Sequence, residues 1–246
     1  MASTSEMGHA KNVANFNKLI LSFTSYGTRY NPSKAALSLS ALGIVAQNAQ
    51  GALEAVNTAL ADQKKAAADL KVSFQPLDKL VTRLVNGVKA TDTSPETDKQ
   101  VADLARKIHG ARASAKKTDD EKKALAASGK EVKEISSSQM SYDSRLENFD
   151  KLIKLLQGIP QYTPNEPELT TASLVTLYTD LKSKNTTYVA AGIALAKARS
   201  ERNLVLYKDG TGMLDLASDA KTYVKSAFGT SSPEFKQVSK IQLNHP

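Results

Sequence analysis

Apolar residues recur at helical spacing along two long stretches of this chain. In the first stretch, a heptad register places one row at Leu42, Ala49, Val56, Gln63 and Leu70, and the adjacent row at Val45, Ala52, Ala59 and Ala66. In the second, the register runs through Leu174, Leu177, Leu181, Tyr188, Ala191, Leu195, Ala198 and Val205, with Lys184 and Arg202 as interruptions. A stripe this wide is typical of a bundle helix that packs on more than one neighbour. The pattern predicts two helices of about 40 residues, each about 60 Å long.

Four dipeptides that end in proline mark predicted helix starts. Asn31-Pro32 and Thr163-Pro164 each place an N-cap residue before a proline at the first helical position, so they predict where the long helices begin. Ser94-Pro95 and Ser232-Pro233 predict the start of a short helix in the same way. A further helix is predicted in each half after the turn residues at 75–76 and 209–212.

The stretch between residues 111 and 143 is charged and is also predicted to be helical. Thr118 and Glu121 have the spacing of a capping box, and apolar residues follow at helical spacing, which predicts a helix over about 119–135. Ser144 and Glu147 repeat the capping-box spacing and predict the start of the next helix. Alternating β-branched residues are missing along the whole sequence, so no strand is predicted.

The two halves of the chain repeat each other. At an offset of 133 positions the segment 15–20, NFNKLI, matches the segment 148–153, NFDKLI. Later in the chain, Ser94-Pro95-Glu96 matches Ser232-Pro233-Glu234, and the order of the matching blocks is kept. Such ordered matches indicate a duplicated structural unit. We therefore predict an all-α protein with two related antiparallel helical-bundle units, at 1–110 and 144–246, joined by the charged helical insert 111–143.

Composition limits the chemistry that the protein can perform. The 246 residues are 41% hydrophobic, enough to bury a core, and none of them is cysteine, which excludes disulfides, thiolate metal sites and cysteine nucleophiles. His9, His109 and His245 lie in unrelated sequence contexts, so each is interpreted as a surface or packing residue. The sequence contains no phosphate-loop, dinucleotide-binding, metalloprotease or nucleophile-elbow motif. It predicts a non-enzymatic protein without cofactor, metal or small-molecule substrate.

One segment of the first long helix carries almost no charge. Residues 35–53 have no charged side chain, and Glu54 is the one charge between 35 and 61. The length of the charge-free run is close to that of a membrane span, but its Gln and Asn residues are costly in hydrocarbon. The segment is therefore interpreted as a bundle helix that offers Gln47, Gln50 and Glu54 as a face for contact with another protein molecule.

Positive charge concentrates at the end of the first predicted unit. The net charge is +8, and a basic stripe without an intervening acid consists of Arg106, Lys107, Arg112, Lys116 and Lys117. Such a stripe can bind phosphates or anionic lipid headgroups. No RNA-binding, zinc-finger or helix-turn-helix signal accompanies it, which favours a solvated helix face.

Several stretches carry a resemblance to a known group of proteins. They are the opening MASTSEMGHAKNVANF, the segment NPSKA, the segment SQMSYDSRLENFDKLI and the final YVKSAFGTSSPEFKQVSK. In these stretches the chain resembles an uncharacterised family of bacterial tandem-repeat helical proteins. That resemblance implies no activity, ligand or site residue.

The function expected from these patterns is structural. Long amphipathic helices and duplication favour a protein that self-assembles or acts as a scaffold through its helix faces, as a homo-oligomer or with a protein partner. Two alternatives stay open: conversion to a membrane-active, pore-forming-like state, and non-specific binding of anionic partners such as nucleic acid. The N-terminal region has no secretory signal, which predicts a cytoplasmic location, with export by a leaderless route as the alternative.

Overall fold

The computed structural model describes residues 7–111, 118, 120, 123, 127, 128 and 140–245. All regular structure in these residues is helical, so the all-α prediction is confirmed. The α-helices with described bounds are α1 (Met7–Ser25), α2 (Leu39–Phe74), α3 (Leu77–Lys89), α4 (Pro95–Ile108), α5 (Tyr142–Gln157), α6 (Thr171–Tyr207), α7 (Met213–Phe228) and α8 (Pro233–Ser239). The predicted helix over 119–135 and most of the predicted insert 111–143 lie outside the described residues.

The two long helices have the predicted length and register. Helix α2 has 36 residues and α6 has 37. The predicted apolar row of α2 is buried at Leu42, Ala49, Val56 and Leu70, while Gln63 is half-exposed. The stripe therefore faces the protein interior along the whole helix, as its spacing requires.

The starts of the long helices differ from the prediction. Pro32 and Pro164 lie in loops, and α2 and α6 begin later, after the short 3-10 turns Ala35–Leu37 and Pro167–Leu169. The N-cap side chains are Ser38, which accepts a hydrogen bond from the backbone N–H of Ala41 at 3.2 Å, and Thr170. The predicted starts are therefore wrong. In each loop a tyrosine hydroxyl donates to a carbonyl seven residues later, Tyr30 to Leu37 and Tyr162 to Leu169, and this bond stabilises the 3-10 turn before the helix.

The short helices begin close to their predicted positions. The side-chain oxygen of Ser94 accepts from the backbone N–H of Thr97 at 3.2 Å, and that of Ser232 accepts from Phe235 at 3.1 Å, which confirms both caps. Helix α5 is capped by Ser141 instead of the predicted Ser144, which itself donates its backbone N–H to Ser141. Helix α1 ends before Gly27, whose φ of 58° is a conformation that residues with a Cβ seldom adopt.

The chain forms two compact units. Unit one consists of Met1–Lys64 and Ala190–Pro246, and unit two consists of Lys65–Val189. These units do not coincide with the predicted segments 1–110, 111–143 and 144–246. The difference arises because α2 and α6 each contribute their first part to one unit and their last part to the other.

Unit one has a core of aliphatic and aromatic side chains from five helices. Phe16, Leu19 and Phe23 of α1 are completely buried and pack with residues of α2, α6, α7 and α8. A smaller cluster forms where Val56 of α2 packs against Leu195 and Ala198 of α6.

Unit two has a core of the same kind. Phe149, Leu152 and Leu156 of α5 are buried and pack with residues of α2, α3, α4 and α6. Unit one therefore contains α1 and the start of α2 from the first predicted repeat, together with the end of α6, α7 and α8 from the second. Unit two contains the end of α2, α3 and α4 from the first predicted repeat, together with α5 and the start of α6 from the second. The repeat itself stays a prediction.

Candidate functional site

The predicted contact face lies on the solvent side of α2 in unit one. Gln47, Gln50 and Glu54 are all exposed, and the Gln50 amide donates to the Glu54 carboxylate at 3.0 Å. Ile44, one turn earlier, is 59% exposed, an unusual position for a large apolar side chain. A Cβ placed on Gly43 or Gly51 would meet no atom within 4 Å, so the surface here is open. The structure brings the predicted residues together on one accessible helix face.

The predicted basic stripe is only partly within the described residues. Arg106 and Lys107 lie in the last turn of α4 and are half-buried. The Arg106 guanidinium donates to the carboxylate of Asp103 at 3.4 Å and to the carbonyl of Ala111 at 3.2 Å. Arg112, Lys116 and Lys117 lie outside the described residues. The first residue of the stripe is therefore engaged in local contacts.

An ionic cluster in unit two was not predicted from the sequence. The guanidinium of Arg145 on α5 donates to the carboxylate of Asp78 on α3 at 2.7 Å, and the ring of His109, just after α4, lies 3.2 Å from the same oxygen. Arg145 is only 7% exposed and its guanidinium lies over the Phe74 ring. The cluster links α3, α5 and the turn that follows α4. Because Asp78 is half-exposed, the cluster is more typical of a structural contact between helices than of a reaction centre.

The Arg145 guanidinium is incompletely satisfied. Its Nε atom is buried and has no hydrogen-bond partner among the described residues. A buried donor without a partner costs free energy, so this arginine is stabilised chiefly through its contact with Asp78. The residues come from three helices separated by long stretches of chain, which leaves no local motif for a sequence-based search to find.

Unit one contains a second polar cluster, around Tyr207 at the end of α6. The Tyr207 hydroxyl lies 2.6 Å from Nδ1 of the buried His9, and the Asn12 amide donates to it at 3.2 Å. The ring of His245 lies 4.8 Å from the ring of Tyr207, measured between centroids. The sequence does not predict that His9 and His245 contact the same tyrosine, although it predicts a surface or packing role for each.

The segment after α8 is hydrogen-bonded to Asn12 of this cluster. We call residues 240–245 the strap. The Asn12 carboxamide makes two hydrogen bonds with the backbone of Asn244: it donates to the carbonyl at 2.6 Å and accepts from the N–H at 3.0 Å. Asn15 donates to the carbonyl of Gln242 at 2.7 Å, and the Lys221 ammonium donates to the carbonyl of Ile241. Helices α1 and α7 thus hold the strap by its main chain.

Burial changes the pKa of several groups in both units. It is the main cause that raises the pKa of Tyr30, with Tyr223 as a second cause, and it raises the pKa of Tyr162 to about 12, with Glu166 as a second cause. Burial also lowers the pKa of Lys221, which faces the strap. In each case the neutral form is favoured, as expected for a titratable group removed from water.

The described residues contain neither a candidate metal-binding cluster nor a candidate membrane-spanning helix. Within residues 7–111 and 140–245, no three His, Asp or Glu side chains come close enough to share a metal ion. None of the described helices combines the length and the apolar character needed to cross a membrane.

The chain matches no protein-family model, no curated protein and no solved structure.

Proposed function

We propose that the protein acts by assembly with further molecules of the same chain, through the exposed face of α2 in unit one. The observation that carries the proposal is the open surface around Gln47 and Gln50. Glu54 is the one charged residue between positions 35 and 61, and its carboxylate accepts a hydrogen bond from the Gln50 amide.

Electrostatics favours this face for contact between identical molecules. Each molecule has a net charge of +8, so two molecules repel each other across most of their surfaces. In a twofold dimer the same patch meets itself, and a patch with little charge avoids self-repulsion. Gln and Asn amides both donate and accept hydrogen bonds, so the patch is also complementary to itself.

The buried side of α2 leaves this face available. Leu42, Ala49 and Val56 point into unit one, where they supply its packing. The exposed side combines Ile44 with polar residues, an apolar side chain with a polar surround that is typical of a small contact surface. The membrane-active and anion-binding alternatives stay predictions, and the half-buried, locally paired Arg106 does not strengthen the second of them.

Light scattering across a wide range of protein concentration tests the proposal. Exchange of Gln47→Lys together with Gln50→Lys should weaken association by about a hundredfold or more, because like charges then meet across the contact. The matched control is Thr179→Lys together with Thr186→Lys, which adds the same charge to exposed positions of α6 in unit two. A protein that stays monomeric at all concentrations would contradict the proposal, and equal weakening by both pairs would show that the face is wrong.

A further inference from the structure

We infer that the surface of α1 and α7 that holds the strap is a binding site for an extended peptide, and that its second occupant is the strap of another molecule of the same chain. The inference deepens the proposed assembly and rests on it, because assembly raises the local concentration of straps around each molecule.

The site recognises the strap by its backbone. Asn12 pairs with both the carbonyl and the N–H of Asn244, the way a neighbouring strand pairs with a residue in a sheet. Asn15 and Lys221 bind two further carbonyls, those of Gln242 and Ile241. These contacts require an extended peptide in this position, and they do not depend on which molecule supplies it.

The side chains of the strap alternate as in an extended strand. Ile241 and Leu243 are half-buried and pack against the core of unit one, whereas Gln242 and Asn244 are exposed. No described residue of the strap is fully buried. The two inward side chains add a preference for an apolar-x-apolar sequence.

The strap uses both polar atoms of the Asn12 side chain. With the strap in place Asn12 is 4% exposed, and its carboxamide oxygen and nitrogen both bond to the strap backbone. When the strap leaves, water replaces these two hydrogen bonds. The strap of a second molecule restores the same bonds, so exchange conserves every contact and only the concentration of molecules decides the outcome.

The strap begins at a suitable hinge. Lys240 ends α8 in a helical conformation, and the chain then becomes extended. An attached strap competes at an effective concentration in the millimolar range, so exchange between free molecules requires similar concentrations. An assembly formed through the face of α2 supplies them locally.

Chemical cross-linking between two single-cysteine variants tests the exchange. The chain has no cysteine of its own. One variant therefore has a single thiol at Asn15→Cys, and the other has a single thiol at Gln242→Cys. The full-length variants are mixed at concentrations from about 10 μM to about 1 mM, the range around the effective concentration of an attached strap, and treated with a short bismaleimide. A heterodimer joining residues 15 and 242 forms when the strap of one molecule lies on α1 of the other.

We expect the heterodimer yield to rise with concentration and to exceed that of a control pair by about tenfold at the highest concentration. The control pair is Thr24→Cys with Gln242→Cys, because Thr24 is exposed on α1 but lies away from the strap contacts. Addition of Asn12→Ala to the molecule that carries Asn15→Cys should remove most of the excess. A yield equal to the control at every concentration would overturn the inference.

The same experiment separates this inference from the proposed function. Heterodimers at about 1 mM in molecules that carry Gln47→Lys and Gln50→Lys would support strap exchange even if the α2 face were wrong. Concentration-dependent light scattering of the unmodified chain, without any heterodimer above the control, would overturn strap exchange and leave the proposed assembly in place.

Discussion

In unit one the ring of Tyr30 packs edge-on against the ring of Tyr223, at 5.3 Å between centroids, whereas in unit two Gly87 lies beside the ring of Tyr162. The two places correspond in the predicted repeat: Tyr223 precedes the buried Val224 of α7, and Gly87 precedes the buried Val88 of α3. Four buried residues have the same spacing in both helices, Leu77, Val81, Leu84 and Val88 in α3 and Met213, Ala217, Ala220 and Val224 in α7, and α7 buries Leu216 in addition.

The ion pairs near these rings have opposite polarity in the two units. In unit one Lys34, before the 3-10 turn, pairs with Asp219 of α7 at 2.6 Å. In unit two Glu168, in the 3-10 turn, pairs with Arg83 of α3 at 2.9 Å. Position and spacing of the buried residues are alike, while the polar partners around them differ. The comparison indicates that the apolar spacing defines the fold of each unit and that the polar residues determine which ion pairs form around it.

The first helix of each predicted repeat shows the consequence most clearly. Asn12 precedes the buried Val13 of α1, and Arg145 precedes the buried Leu146 of α5. Asn12 binds the main chain of the strap, whereas Arg145 binds the carboxylate of Asp78. In unit one a neutral amide pairs with a peptide backbone, whereas in unit two a guanidinium pairs with a carboxylate.

The largest expected effect tests the shared core. Phe16→Ala and Phe149→Ala remove rings that match in the predicted repeat and are each 0% exposed, and each should lower the free energy of unfolding by about 3–5 kcal/mol. Urea unfolding, followed by circular dichroism, measures the change. A difference of more than about 2 kcal/mol between the two variants would contradict the equivalence of the two cores.

The ionic cluster of unit two should respond unequally to loss of its partners. Asp78→Ala leaves the buried Arg145 charge without its carboxylate and should cost about 2–4 kcal/mol, a value reduced because Asp78 is half-exposed. Arg145→Met removes the buried charge together with its unpaired Nε and should cost less than about 1.5 kcal/mol. Thermal unfolding of both variants gives the order, and a larger loss for Arg145→Met would show that the ion pair itself is strongly stabilising.

The buried tyrosines should behave alike in the two units. Tyr30→Phe and Tyr162→Phe each remove one hydrogen bond to a buried carbonyl, at Leu37 and Leu169, and should each cost about 1 kcal/mol at neutral pH. Chemical unfolding at pH 7 measures the loss. A loss in one unit alone would show that the two loops are held by different contacts.

Alkaline pH sharpens the same comparison. Burial raises the pKa of Tyr162 to about 12 from its ordinary value of 10.0. Because the folded state favours the neutral phenol, this stabilisation is fully present below pH 10 and is lost as the pH rises through 12. The free energy of unfolding should therefore fall between pH 10 and pH 12 more steeply for the unmodified chain than for Tyr162→Phe.

The smallest effect concerns the reversed ion pairs. Arg83→Glu should lower the free energy of unfolding by less than about 1 kcal/mol, since both partners are exposed. Addition of Glu168→Lys gives unit two the polarity of unit one and should restore most of that loss at low salt. Thermal unfolding at low and high salt measures both variants, and a loss that salt does not reduce would contradict an electrostatic origin.

Much of the secondary structure could be predicted from nearby residues. The caps at Ser94 and Ser232 and the buried row of α2 each depend on side chains within a few positions of one another, which a sequence shows directly. The contact face at Gln47, Gln50 and Glu54 is also exposed as predicted, because solvent exposure follows from the same helical spacing. The membership of the two compact units differs from the predicted segments, since both long helices take part in both units.

The sequence by itself determined that the chain is helical, how long its main helices are and which side of each is buried, because apolar spacing and caps act over one or two helical turns. Only the tertiary structure decided that Asn12 of α1 binds the backbone of Asn244, which lies 232 positions away. It also decided that His9 meets Tyr207, a partner 198 positions away. Such contacts form because the packing of apolar faces brings distant segments together. The residues around each segment do not specify which distant segment it will contact.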